Sequence, residues 1–557
     1  MNEIQRIPLA TPISTRDGVL CHDAKIVNGW IETPDNEDVY VAKRYGFSEQ
    51  ATLTGTSIGQ GIHSYGANQF AIFNDIIYRN NVGGITLTVT VPDLIFRFES
   101  APPASGLTGF FFKSTRDAFF YDTSALTVTK ITDPDYPAVT VPGVSWLNGR
   151  FFVASGGGAI RNSAINSPFV WSALSVVQTV ADAEGIVALT KLRSYIVALK
   201  QFSIEYFFDA GFPPPASPLQ RVESAFAETG CASAESFWNT DTSLFFIGQT
   251  KRTRGRKVYK CEGYTPQRVS TDFIEKIIDG DNLSNVRAFA YSPQGKDFYV
   301  LQLFNSERTL VFDMESNAWY IWASKELQAT KDVLTLTFID NAGVEFLATA
   351  TVLSHGYEDG DRVNIAGASP STYNGTFAIR YLTANTFEYV LPTDPLTDAA
   401  GTITSQGFDL KAFRPSGYTN TTADNEFFQD RVNGKIYTIS PSDLRDNGIH
   451  IDYRVVTKKY DFDTMGQQNF ASTNTKIYTR VEPIGDKTLT DSLLYIRHTD
   501  DDYRTFSPFR SVRLSDDRPQ LRALGSARRR AFEIRHHDQA NVRFNALEVE
   551  LKPGGLT

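Results

Sequence analysis

The stretch VFDMESNAWYIWAS, residues 311–324, sets a pattern that returns along most of the chain. Apolar positions Val311-Phe312 and Trp319 to Trp322 flank Asp313-Met314-Glu315-Ser316-Asn317. Aromatic residues suit a pleated, half-buried surface, while Asp, Ser and Asn hydrogen-bond their own backbone in tight bends. The pattern predicts a hairpin. The same plan is read in QFAIFNDIIYRNN from Gln69, with a turn at Asn74-Asp75, and in AFFYDTSALTVTKITD from Ala118, with a turn at Asp122-Thr123-Ser124. It is read again in IRNSAINSPFVWSAL from Ile160, with turn residues at Asn162-Ser163 and Asn166-Ser167-Pro168, and in SYIVALKQFSIEYFFDAG around Lys200-Gln201. KVYKCEGYTPQRVST from Lys257 and GKIYTISPSDLRDNG from Gly434 complete the series.

These hairpins recur at about 40 to 55 residues, the length of a four-stranded propeller blade. One interval breaks the period, because about 125 residues separate Phe312 from Tyr437. An insertion over 325–408 removes the excess. That segment alternates Leu334, Leu336, Phe338, then Val363, Ile365, then Phe377, Ile379, between turns such as Glu358-Asp359-Gly360-Asp361 and Tyr373-Asn374-Gly375. It predicts a small antiparallel barrel. Beyond about residue 448, long alternating segments (KIYTRVEPI, SLLYIRH, FNALEVELK) predict a β-sandwich. The expected fold is all-β: a propeller of six or seven blades, a sandwich platform and an inserted barrel. The expected domains are an extended N-terminal segment packing on the platform (1–58), the propeller (59–324), the barrel (325–408), a final blade (409–448) and the platform (449–557). The Asp272-Phe273-Ile274-Glu275 spacing predicts one short capped helix.

Composition agrees with strands and turns: 40 Phe and 24 Tyr stand against only 3 Met, with 39 Gly and 25 Pro. A net charge of -9 excludes a global basic field of the kind that grips nucleic acid. Three scattered cysteines, Cys21, Cys231 and Cys261, have neither metal-ligand spacing nor a disulfide framework, which fits folding in a reducing compartment. The N-terminal MNEIQRIPLATPIS lacks a basic-then-apolar signal pattern, and no uncharged apolar run reaches a membrane span, so neither secretion nor a membrane anchor is expected.

Catalytic patterns are missing from the sequence. The histidines are His22, His63, His355, His450, His498, His536 and His537, with no HExxH pair and no Gly-x-Ser-x-Gly elbow. The acidic turns at 358–361 and 279–282 lack the spaced ligands of a calcium loop, and the Gly-rich stretches lack a phosphate-loop Lys-Ser/Thr. No enzyme activity, catalytic set, cofactor or metal is expected. Two basic clusters stand out. Arg252, Arg254 and Arg256 lie in a seven-residue run from Lys251 to Lys257, read as a hairpin tip with three possible roles: solvated, facing an acidic subunit surface, or touching DNA phosphate. Arg528, Arg529 and Arg530 suit bidentate ion pairs, between subunits or within the domain, better than DNA contact.

The insertion, with its HGYEDGDRVNIAGA, YNGTFAI and NTFEY runs, resembles a small SH3-like module of phage structural proteins and ubiquitin-activating enzymes. The rest of the chain resembles the tail nozzle, or packaged-DNA stabilisation, proteins of short-tailed bacteriophages (podoviruses). GYTPQRVSTDFIEKII from Gly263, VFDMESNAWYIWAS, GSARRRAFEIRH from Gly525, and KRYGFSEQ from Lys43 followed by IGQGIHSYG carry the likeness. The resemblance implies a structural protein of the virion tail, made in the host cytoplasm. It implies a homohexameric ring below the portal and adaptor complex, with tail fibres or a tail needle as further partners. Double-stranded DNA would be retained above the ring and pass through it during ejection, without sequence-specific binding. The resemblance also places Arg528, Arg529 and Arg530 in the ring-forming terminal domain. The rival reading is a carbohydrate-binding adhesin of a phage tail.

Overall fold

The computed structural model describes residues 3–10, 24–33, 39–55, 57–180, 184–240, 242–341, 345–461, 474–488 and 492–554. Among them, one α-helix and three short 3-10 turns interrupt an otherwise β structure. Contacts divide the chain into two discontinuous units. One comprises Tyr45–Trp322 with Ala412–Asp443, the other Met1–Arg44 with Ala323–Lys411 and Leu444–Thr557.

The first unit is the β-propeller. Six antiparallel sheets of consecutive strands follow one another, with innermost strands Gly59–Tyr65, Arg97–Ser100, Ser145–Leu147, Ile186–Leu192, Trp238–Asn239 and Val286–Tyr291. A composite sheet closes the circle. Its strands Pro415–Asn420, Glu426–Asp430 and Lys435–Ile439 come from late in the chain, and Phe47–Thr52, from early in it, supplies the outer strand. Pro415–Asn420 lies against both Gly59–Tyr65 and Val286–Tyr291, so the ring has no gap there. The hairpin expected after Ile439 therefore does not form, because Phe47–Thr52 takes that place beside Lys435–Ile439. This is also why the unit starts at Tyr45, where sequence periodicity starts the propeller at residue 59.

Aromatic rings make the joints between neighbouring sheets. Phe111 stacks on Phe151 with centroids 4.9 Å apart, Phe245 on Tyr299 at 5.1 Å, and Tyr291 meets Phe428 at 5.0 Å. Each such pair contributes roughly 0.5–1.5 kcal/mol beyond the area it buries, and the aromatic content of the chain is spent here. Turn chemistry sets the hairpins. Asn74 and Asp75 both adopt positive φ, 49° and 57°, as a two-residue primed turn requires. Asp313 Oδ1 accepts from the Glu315 and Ser316 amides at 2.9 and 3.1 Å, and Asn317 takes φ 52°. Two expectations are corrected. Asn162-Ser163 is not a turn but the end of the strand Ala159–Ser163, since Ser163 Oγ accepts from the Phe151 amide of the neighbouring strand at 3.0 Å. The helix Asp272–Asp279 forms where expected, yet its cap is Thr271, whose side chain accepts from the Ile274 amide, and Asp272 is its first helical residue.

The second unit is built of two sandwiched sheets and the inserted sheet. One sheet orders Gly29–Glu32, Tyr40–Lys43, Arg543–Pro553, Lys476–Gly485 and Leu521–Arg522, with Glu3–Pro8 also pairing along Arg543–Pro553. The other includes Lys25–Val27, Tyr453–Val456, Ala531–His536, Leu493–Thr499 and Arg510–Arg513. Side chains from the two meet: Tyr453 Oη donates to the Val41 carbonyl at 3.0 Å, and Tyr478 packs on Phe532. N-terminal strands thus complete a sandwich whose other strands come from the C-terminal part of the chain. The inserted segment forms a seven-stranded sheet whose two edges, Lys331–Asp332 and Thr335–Asn341, are consecutive in the chain, so the sheet curls around a core. That core, including Leu336, Ala348, Val363, Tyr373, Phe387 and Tyr389, is drawn from residues 333–403 alone.

Candidate functional site

On the propeller axis all its sheets present residues to a common space, a cavity of about 230 Å³. Its walls carry Arg97 and Glu99 from the inner strand Arg97–Ser100, Lys191 and Arg287 from two other inner strands, and Glu235 from the turn before a fourth. Arg97 Nε donates to Glu235 Oε2 at 3.0 Å, and its guanidinium lies 4.8 Å from the Phe237 ring centre. Lys191 stands 3.6 Å from Glu99 and donates to the Trp146 carbonyl at 3.0 Å, while Glu99 accepts from the Trp146 amide at 2.9 Å. Burial holds the Glu99 carboxyl above its usual range, against the pull of Lys191 and that amide. Arg287 differs, donating to the Gly59 carbonyl and, at 3.2 Å, to Ser416 Oγ, both neutral acceptors. Burial lowers its pKa to about 10. Behind the wall, Lys113 donates to the Val141 carbonyl at 2.8 Å and is lowered by burial to about 7. His63, against Ser100 Oγ at 2.8 Å and stacked on Phe98, is lowered by burial to about 4 and is neutral at pH 7. A space of this size suits a small ion with a few waters. Sequence reading missed it because its residues are dispersed from Gln60 to Tyr418.

The two arginine clusters fare differently. Arg252 and Arg254 are exposed at the tip between Leu244–Gln249 and Lys257–Cys261, as expected for a hairpin end. Lys251 reaches Glu184 at 3.0 Å, and Arg256 is tied back, its amide donating to Asp279 Oδ1 at 3.0 Å and its guanidinium to the Asp281 carbonyl at 2.5 Å. In the second unit, Arg528 is exposed and its carbonyl accepts from Lys476, whereas Arg529 pairs with Asp502 at 2.7 Å while half exposed. Arg530 is internal. It forks onto both oxygens of Asp500 at 2.7 and 2.8 Å, donates to the Leu524 carbonyl at 2.8 Å and lies 4.0 Å over the Tyr478 ring. Three consecutive arginines are thus divided by the strand Ala531–His536, which follows them and pulls the last into the core.

A denser network, absent from the sequence reading, lies between the inserted sheet and the sandwich. Arg535 bridges Asp452 at 2.9 Å and Asp361 at 2.7 Å, and Arg362 pairs with Asp538 at 2.5 Å. His450 and His537 pack edge to face at 5.4 Å beside this cluster, and both are buried, as is His536. Desolvation keeps all three below the usual histidine range, His450 at about 3. Asp452 is held well below the usual carboxylate range by Arg535, Arg454 and Lys325, which together overcome its burial. The calcium-like turn is explained here, since Asp359 accepts from the Tyr381 and Phe509 amides and Asp361 is committed to Arg535. No group of three or more metal-ligating side chains occurs among the described residues. His22 and Cys21 lie outside them.

One unit is a β-propeller and the other a β-sandwich with an inserted sheet, so the described residues form an all-β protein. Residues 28–334 match the phage stabilisation family described as bacteriophage P22 Gp10, beta-propeller. The chain belongs to that family and is a structural component of a phage tail. No curated protein matches. Two solved structures align weakly. One is the computationally designed Ika8 protein, at TM-score 0.34 and 9% identity over 70% of this chain and 99% of that one. The other is a chain of the mitotic checkpoint complex, at TM-score 0.30 and 10% identity over 60% and 86%. Neither likeness is close enough to bear on function.

Proposed function

We propose that the protein is the nozzle subunit of a short phage tail, forming a homohexameric ring below the portal and adaptor. The ring retains packaged DNA and passes it during ejection, and it binds tail fibres or a tail needle below. The family match across the propeller carries this reading. The acidic balance of the chain supports it, because each phosphate neutralised by a basic group adds salt-sensitive affinity that would hold DNA back. The exposed Arg252, Arg254 and Arg528, and the half-exposed Arg529, are accessible to an acidic surface of a neighbouring subunit in this reading.

The test is electron microscopy of the purified protein, alone and mixed with the portal and adaptor proteins encoded with it. The expected result is a sixfold ring capping the connector. Isolated molecules that ignore the connector, combined with glycan binding by the free protein, would instead establish the adhesin reading.

A further inference from the structure

Charge on the propeller axis does not balance. Arg97 is neutralised by Glu235, and Lys191 faces Glu99. Arg287 shares the same cavity and forms no ion pair among the described residues. Arg287 is partly buried with hydrogen bonds only to neutral acceptors, and an anion entering the cavity would supply the counter-charge it lacks at contact distance. A second group has the same deficit. Ser145 also lines the cavity, is 1% exposed, and its hydroxyl has no hydrogen-bond partner; the Arg287 Nε is likewise unpartnered. Both are donors, and a guanidinium fork fits two oxygens of one anion.

We propose that the axial cavity binds a small oxyanion, of which inorganic phosphate is the type, held by the Arg287 guanidinium and the Ser145 hydroxyl. The cavity volume of about 230 Å³ admits such an ion with a few waters. Bound there, the ion ties the inner strand Val286–Tyr291 to the inner strand Ser145–Leu147 across the ring, two strands that do not pair with each other. Arg287 and Lys113, both lowered by burial, would gain a counter-charge. This inference is independent of the nozzle reading, since it concerns the interior of one propeller.

Isothermal titration calorimetry of the full chain with inorganic phosphate, in chloride buffer of matched ionic strength, tests it. The expected result is saturable binding of one phosphate per chain in the millimolar range or tighter. Affinity should fall at least tenfold in Arg287→Gln and about threefold or more in Ser145→Ala, and stay unchanged in Arg252→Gln at the exposed tip. Lack of saturable binding by the wild-type protein overturns the proposal, as does wild-type affinity in Arg287→Gln. If Arg287→Gln loses its cooperative thermal transition, Ser145→Ala decides: unchanged affinity there overturns the site. Loss of binding in Arg252→Gln would move the phosphate to the surface and also overturn it.

Discussion

At the residue scale, identical side chains in one run have unlike energetic roles. Arg529 and Arg530 both pair with aspartates, but only Arg530 is desolvated, with its side chain 1% exposed against 52% for Arg529. Removing one partner of a buried, hydrogen-bonded pair leaves an uncompensated charge and costs about 3 kcal/mol, whereas an exposed pair is worth about 0–1 kcal/mol. Asp500→Ala, which leaves the buried Arg530 without its carboxylate, is expected to destabilise the second unit by about 3 kcal/mol and Arg529→Ala by less than about 1 kcal/mol, measured by urea unfolding. Equal effects would show that the fork onto Asp500 has no special weight. Sequence alone registered a charge run, and which arginine is internal depends on how the strand after it enters the sandwich.

At the element scale, the inserted sheet has its own core yet is bonded to the sandwich by Arg535–Asp361 and Arg362–Asp538. Its chain leaves and returns side by side, with the Gln328 amide donating to the Gly407 carbonyl at 2.9 Å and Gln406 Nε2 to the Gln328 carbonyl at 2.7 Å. Replacing residues 329–405 by a short linker should therefore leave the propeller folded. The cost falls on the sandwich, where Asp538 loses Arg362 and Arg535 keeps only Asp452. Scanning calorimetry is expected to show one transition unchanged and one lowered, and loss of all soluble protein would sink the idea. The alternation of Leu336, Val363, Ile365 and Ile379 made the module legible. Its anchoring was not, because Asp361 and Arg535 are remote in sequence and each looks like an ordinary surface charge.

At the scale of the whole molecule, folding buries histidines in both units and holds them neutral. For His450, the unfolded chain takes up a proton near pH 6.5 but the folded chain does so only near pH 3. Between those values folding excludes that proton, so stability falls as pH falls through the window, by about 1.4 kcal/mol per pH unit for one such group. His63 and His498, both lowered to about 4, act in the same direction. Acid should therefore unfold the protein from about pH 6 downward, before the carboxylates protonate. His450→Phe keeps the aromatic contact with Phe408 and should reduce the pH dependence of stability between pH 6.5 and 5 by roughly one proton. An unaltered slope would show that His450 is protonated in the fold.

What the sequence determined by itself is local: hairpins, their turn residues, the blade period and the insertion that interrupts it. Each is written in neighbouring residues through periodicity and turn chemistry. Closure of the ring by Phe47–Thr52, the pairing of Glu3–Pro8 and Tyr40–Lys43 along Arg543–Pro553, and the gathering of Arg97, Glu235 and Arg287 on the axis were decided only by the tertiary structure. The physical reason is the same in each case. A strand needs a hydrogen-bonding edge and a charge needs a counter-charge, and either can be met by a partner hundreds of residues away that leaves no local trace.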